Sequence, residues 1–188
     1  CCFLGGVAKF VMDGHTITGL DAQGQLTGSG SLAVNASETL AATGQNVAAG
    51  SMALQGSALD LAGSTSTASS IALTTGGGAI DTHGATVHAA DTLAVHGGDL
   101  RNGGGQLSAR TLDIAVGALD NAGGAILQAG QGRLDLHAAA LDNSAGRIAG
   151  DGTLAIQAAD LNNTGGSVAG AQGLAIAAAD VANRGGQI

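Results

Sequence analysis

This chain has almost no aromatic side chains: no Trp, no Tyr and only two Phe, Phe3 and Phe10. It also has no proline, and its only cysteines are Cys1 and Cys2 at the very start. Each shortage excludes something. Without aromatics the interior must be narrow and filled by small aliphatic side chains, which suits a thin, elongated cross-section better than a sphere. Two adjacent cysteines cannot staple a fold, so stability does not come from disulfides. Basic residues are also few: Lys9, Arg101, Arg110, Arg133, Arg147 and Arg184 stand against 14 acidic ones, for a net charge of −8. Lacking a basic patch or a stacking platform, the chain is no nucleic-acid binder, and heparin or anionic membrane surfaces are disfavoured for the same reason. The apolar opening through Met12 is interrupted by Lys9. It is too short for a membrane span and has the wrong shape for a signal peptide.

What is abundant is glycine, 34 residues, with Ala, Leu, Val and Ile. They recur on a fixed period. Leu161-Asn162-Asn163-Thr164-Gly165-Gly166-Ser167-Val168 nearly restates Leu141-Asp142-Asn143-Ser144-Ala145-Gly146-Arg147-Ile148, and the phrase returns at Leu119–Ile126, Leu100–Leu107 and Val181–Ile188. Taking the apolar opening residue as the head of each unit, the heads are Leu20, Leu40, Leu59, Ile80, Leu100, Leu119, Leu141, Leu161 and Val181. A second apolar landmark follows seven residues after most heads: Val47, Val87, Leu107, Ile126, Ile148, Val168 and Ile188. A third is an alternating pair: Leu32/Val34, Met52/Leu54, Ile71/Leu73, Leu93/Val95, Leu112/Ile114, Leu134/Leu136, Leu154/Ile156 and Leu174/Ile176.

The local alternation has period two, so these are short strands with one face in and one out. Helix fails as the competing reading even for Ala-rich stretches such as Ala175–Asp180, because no stripe at helical spacing continues and glycines break every candidate. Self-similarity at this period marks a stacked array. The fold class is therefore all-β: a right-handed parallel β-helix, about 20 residues per coil, with three short strands per coil and rungs at roughly 4.8 Å. The expected organisation is an irregular segment or partial coil over 1–19, then a β-helix array over 20–188 that is truncated at the C-terminus, a piece of something longer. Open coils at both ends would expose unpaired strand edges and promote self-association. Ser64–Ser70, all Ser, Thr and Ala, departs furthest from the pattern and is expected to form a loop or a weakened strand.

The polar residues of the phrase divide by direction. Asn102, Asn121, Asn143, Asn163 and Asn183 lie two residues after a head, so they point inward with it. Stacked coil on coil, they are expected to form an amide ladder that satisfies buried polar groups. The glycines after them suit a corner that needs positive φ or close backbone approach. No helix and no Lys-Ser or Lys-Thr follows to make a phosphate loop. The aspartates beside the heads, such as Asp120 and Asp142, point to water. On adjacent rungs they repel mildly; divalent cations are conceivable partners, but the Gly-Gly-x-Gly-x-Asp calcium repeat is absent. His15, His83, His88, His96 and His137 match no zinc spacing. There is no Gly-x-Ser-x-Gly elbow, and no acid cluster stands beside a Lys or Arg as a polysaccharide-cleaving β-helix would need. Catalytic, metal-binding and cofactor-binding residues are therefore none, and the chain is expected not to be an enzyme. An ice-binding face would need a repeated Thr-x-Thr ladder, and only Thr16/Thr18 and Thr65/Thr67 occur.

The phrase Leu-Asp-Asn-x-Gly-Gly-x-Ile, followed by a small-residue stretch and Leu-x-Ile, resembles the haemagglutinin repeats of filamentous haemagglutinin-like exoproteins. These include two-partner-secreted adhesins and contact-dependent growth-inhibition proteins of Gram-negative bacteria. Leu119–Ile126 and Leu141–Ile148 carry it most plainly, Leu161–Val168 with Asn in place of Asp. The resemblance is good from Leu100 to Ile188 and weaker but in register from Leu20 to Ile80. It implies a secreted or outer-membrane-associated surface protein, a transporter of the two-partner-secretion type in the outer membrane, and a receptor on a host or neighbouring cell. It also implies a non-enzymatic shaft that holds a binding or toxic portion away from the cell. The alternative is that a face of the helix itself binds glycan or a host receptor, for which the lack of Trp and Tyr is unfavourable.

Overall fold

The structure is a computed structural model that describes residues 30–188 in full, together with the backbone of strands Cys2–Val7 and Phe10–Val11. The heads stack into one column of parallel pairs: Leu40 opposite Leu59, then Ile80, Leu100, Leu119, Leu141, Leu161 and Val181. All pairings between coils are parallel, and the described residues contain no helix. The array is a parallel β-solenoid. The head position Leu20 lies outside the described residues, as do His15, Thr16, Thr18 and Asp21. Below Leu40 the rung partner is Phe10, and Cys2–Val7 pairs with the strand Leu32–Ala36.

Four inward columns fill the interior. Besides the heads these are the second landmark and the two members of the alternating pair, all buried from Ile80 through Ile156. Each Leu or Ile removed from water contributes roughly 1.5–3 kcal/mol, repeated on every rung, which is why short strands suffice. A one-residue gap in side-chain direction reverses a strand's faces, and one such gap changes which residue is buried. The coil headed by Leu40 reaches its second strand one residue early, so Asn46, not Val47, stands in register with Ser66 and Val87. Asn46 is fully buried and Val47 only half-buried, which corrects Val47 as a core landmark.

For Ser64–Ser70 the loop is corrected and the strand stands. Residues Thr65–Thr75 form one continuous strand, paired on both sides and alternating in burial. Pairing in a sheet is made by the backbone, and β-branched Thr suits a pleated surface. Small hydroxyl side chains can occupy the inward positions once the neighbouring coils fix the register. Strands on successive faces also merge: Thr86–His96 and Gln106–Ala115 each run across a corner as one bent strand.

Candidate functional site

The most developed polar arrangement is inside the rod, at the corner after the heads. Asn102 donates from Nδ2 to Oδ1 of Asn121 at 2.7 Å. Asn121 does the same to Asn143, Asn143 to Asn163 and Asn163 to Asn183, each at 2.7 Å. The structure thus brings all five asparagines into one hydrogen-bonded column. The first four are completely buried. The second Nδ2 proton of each turns to the carbonyl three residues on, Gly105 for Asn102 and Gly166 for Asn163, both at 3.3 Å. The amides therefore tie coil to coil and also close their own corner. All of them point the same way along the rod.

Thr82 belongs to this column and was missed by the sequence reading. It sits two residues after its head, is fully buried, and donates from Oγ1 to Asn102 Oδ1 at 3.0 Å. Below it the column continues as Leu61 and Ala42, which are apolar and buried. A hydroxyl can begin a chain of amides by giving its proton to the first carbonyl oxygen, so Thr82 caps the ladder. The signal that could have found it was its position relative to Ile80.

The two glycines of the phrase have different reasons. The first lies in the left-handed region, as in Gly104 at φ 63° and Gly165 at φ 65°, and Ala145 takes the same place at φ 53°. The second is a matter of space. A Cβ on Gly166 would strike the carbonyl oxygen of Asn143 and come within 2.6 Å of Asn163 Oδ1. A ladder asparagine therefore requires glycine three residues later. Where the ladder is absent, Ser64 stands at that place, and beside Thr82 it is Ala85.

The outward aspartates are less idle than their exposure suggested. Oδ1 of Asp60, Asp81, Asp120 and Asp142 each accepts the backbone N–H two residues on, at 3.0, 2.9, 2.9 and 2.8 Å. Asn162 does the same for Thr164 at 3.1 Å. Such Asx turns pre-shape the corner, which explains why Asp and Asn alternate there without loss. Asp120 and Asp142 are indeed rung neighbours, while Arg101 stands between Asp81 and Asp120.

Elsewhere the surface chemistry is dispersed. His96 contacts Asp113 at 2.9 Å, Arg110 pairs with Asp91 at 2.8 Å and Arg133 with Asp135 at 2.6 Å, all exposed. His88 reaches Ser108 at 3.0 Å. Among the described residues no three His, Cys, Asp or Glu side chains converge as a metal site would need. An open groove of about 680 Å³ runs along one corner past His137 and Gln157, with alanines as its floor. Another of about 560 Å³ lies by His88, Ser108, Arg110 and Leu127. Neither gathers more than scattered polar groups.

Beside the second groove the coil headed by Leu119 is 22 residues long, and the excess emerges between the strands Ala125–Gln128 and Leu134–His137. Gln128 repairs the interrupted ladder. Its side chain is buried, accepts the Leu112 N–H at 2.9 Å through Oε1 and donates to Gly132 O at 2.9 Å. Sequence reading passed over this residue because a lone glutamine in a Gly-rich corner carries no periodic signal.

A stacked solenoid with an internal asparagine ladder, glycine corners and, among the described residues, no convergent metal-ligating cluster defines a class: the repetitive parallel β-solenoid array. Within that class the chain belongs to the haemagglutinin repeat family, which matches residues 15–104, 60–132 and 129–188. A relative in Yersinia pestis, Toxin CdiA, is 38% identical over 116 residues, which cover 59% of this chain. The match spans only 4% of that much longer relative. No solved structure matches the chain. Among the described residues no helix is long and apolar enough to cross a membrane.

Proposed function

We propose that this chain is a shaft segment of a large secreted or surface-exposed bacterial exoprotein, non-enzymatic in itself, holding a binding or toxic portion away from the cell. The observation that supports this most is that the recurring phrase is used up internally. Leu fills the core, Asn links the coils, glycine turns the corner, and Asp shapes it. Little of the repeat remains to recognise anything. Length comes from stacking, and contacts limited to neighbouring coils let such a chain fold progressively as it emerges, as export through an outer-membrane two-partner-secretion transporter would require. The eventual partner is a receptor on a host or neighbouring cell.

The test is removal of one whole coil, residues 141–160, from the full-length protein. A shaft role predicts that the shortened protein is still exported and still acts on its target cell, because Ala140 then runs into Leu161 in the same phrase. Loss of target-cell action in a protein that is still exported and folded would contradict it. The second reading, a glycan- or receptor-binding face, is favoured only by the groove at His88, Ser108, Arg110 and Leu127. Specific hits on a glycan array that vanish in Arg110→Ala would establish that reading instead.

A further inference from the structure

One junction in the stack differs from all the others. At every rung step but one, side-chain hydrogen bonds cross from coil to coil. Asn46 donates to Ser66 at 3.1 Å and Ser69 to Ala49 O at 3.0 Å. Thr82 reaches Asn102, and from there the asparagine ladder crosses each step to Asn183. Between the coil headed by Leu59 and the coil headed by Ile80 there is none among the described residues. That step is held by backbone bonds such as Leu61 N to Asp81 O at 2.8 Å and by apolar contact alone.

Two inward columns are also mismatched there, whereas the other mismatch, Ala109 against Gln128, is made good by the hydrogen bonds of the glutamine amide. At neighbouring steps like sits on like: Asn46 against Ser66, Val87 against Leu107, Asn102 against Asn121. At this one Ser66 lies against Val87, and Leu61 occupies the ladder column beneath Thr82. Two buried oxygens on the lower side, Asn46 Oδ1 and Ser64 Oγ, have no partner. An unpaired buried polar group weakens the structure around it.

We infer that the seam between Ala79 and Ile80 divides the solenoid into two cooperative units, the upper one capped by Thr82, and that the coils below the seam open independently of those above it. Stability in a stacked array is a sum of coil and interface contributions; the backbone pairing at this step is extensive, so it is the missing side-chain bonds and the mismatched columns that interrupt cooperativity there. In a long shaft such a seam is a built-in yielding point. Nothing in this requires the shaft assignment itself; it concerns only how the stack comes apart.

Hydrogen exchange of the whole chain, resolved by mass spectrometry, tests it. The expected result is a step: core amides of residues 66–73 exchange at least tenfold faster than those of residues 107–114, with the change falling at 79/80. A uniform rate, or a smooth gradient rising towards the chain ends, would overturn the inference. Extending the ladder downward provides the second arm. Leu61→Asn supplies an amide for Thr82 Oγ1, and Ser64→Gly makes the room such an asparagine needs. That double variant is expected to abolish the step by slowing exchange in 66–73. In the third arm Thr82→Val removes the donor to Asn102 and is expected to speed exchange in 100–114, while Thr82→Ser leaves it unchanged. Equal effects of Val and Ser would refute the cap.

Discussion

At residue scale the ladder concentrates the most consequential side chains. Asn143 receives Asn121 and donates to Asn163, so Asn143→Ala strands a buried donor on one side and a buried acceptor on the other. At roughly 1–3 kcal/mol for each unsatisfied group, the loss should be several kcal/mol, read as faster amide exchange in the two flanking coils. Exchange unchanged within error would mean the column is not a source of stability. The corner offers a change in the opposite direction. Ala145 occupies a left-handed conformation that glycine takes in the neighbouring coils. A left-handed L-residue costs about 1–2 kcal/mol, partly offset by the greater freedom glycine gives the unfolded chain. Ala145→Gly should therefore raise the thermal midpoint slightly, whereas Gly166→Ala, which collides with backbone, should lower it, through a loss of stability typical of overpacking, about 1–3 kcal/mol.

At the scale of elements, much is legible in the sequence. The heads and the alternating pairs are apolar in every coil, and an inward strand position on a stacked rung has no other acceptable content. The inward direction of the asparagines followed from the same two-residue arithmetic. What escaped shows where that arithmetic stops. Val47 keeps the sequence spacing of a landmark, yet the shorter corner of its coil rotates Asn46 into the interior. Nothing local distinguishes a six-residue from a seven-residue step. Ser64–Ser70 lacks apolar residues but is held as strand by its neighbours on both sides, a tertiary effect invisible in a single segment. The role of Asp in shaping the corner was also hidden, because exposure and a hydrogen bond to backbone are compatible. Gln128 is the last case: its importance comes from a gap in pairing that only the fold creates. Gln128→Ala should leave the Leu112 amide unpaired, and the exchange of that amide should rise at least tenfold while the coils beyond Leu141 stay protected.

At the scale of the molecule the result is a rod whose surface is quiet. Among the described residues the large apolar side chains left exposed are Val181 and Ile188, both in the last coil. Along the rest of the described residues, small side chains, hydroxyls and three exposed ion contacts lie on the sheets, which leaves the sides with little apolar surface.

The central claim is that coils add length and nothing else, and length is measurable. Inserting a second copy of residues 100–180 after Asp180 adds four coils and keeps the phrase continuous from Asp180 into a head. At about 4.8 Å per rung, small-angle scattering should show the maximum dimension rising by roughly 19 Å, with the cross-sectional radius unchanged. A protein that widens instead of lengthening, or that fails to gain length while folded, would contradict the account.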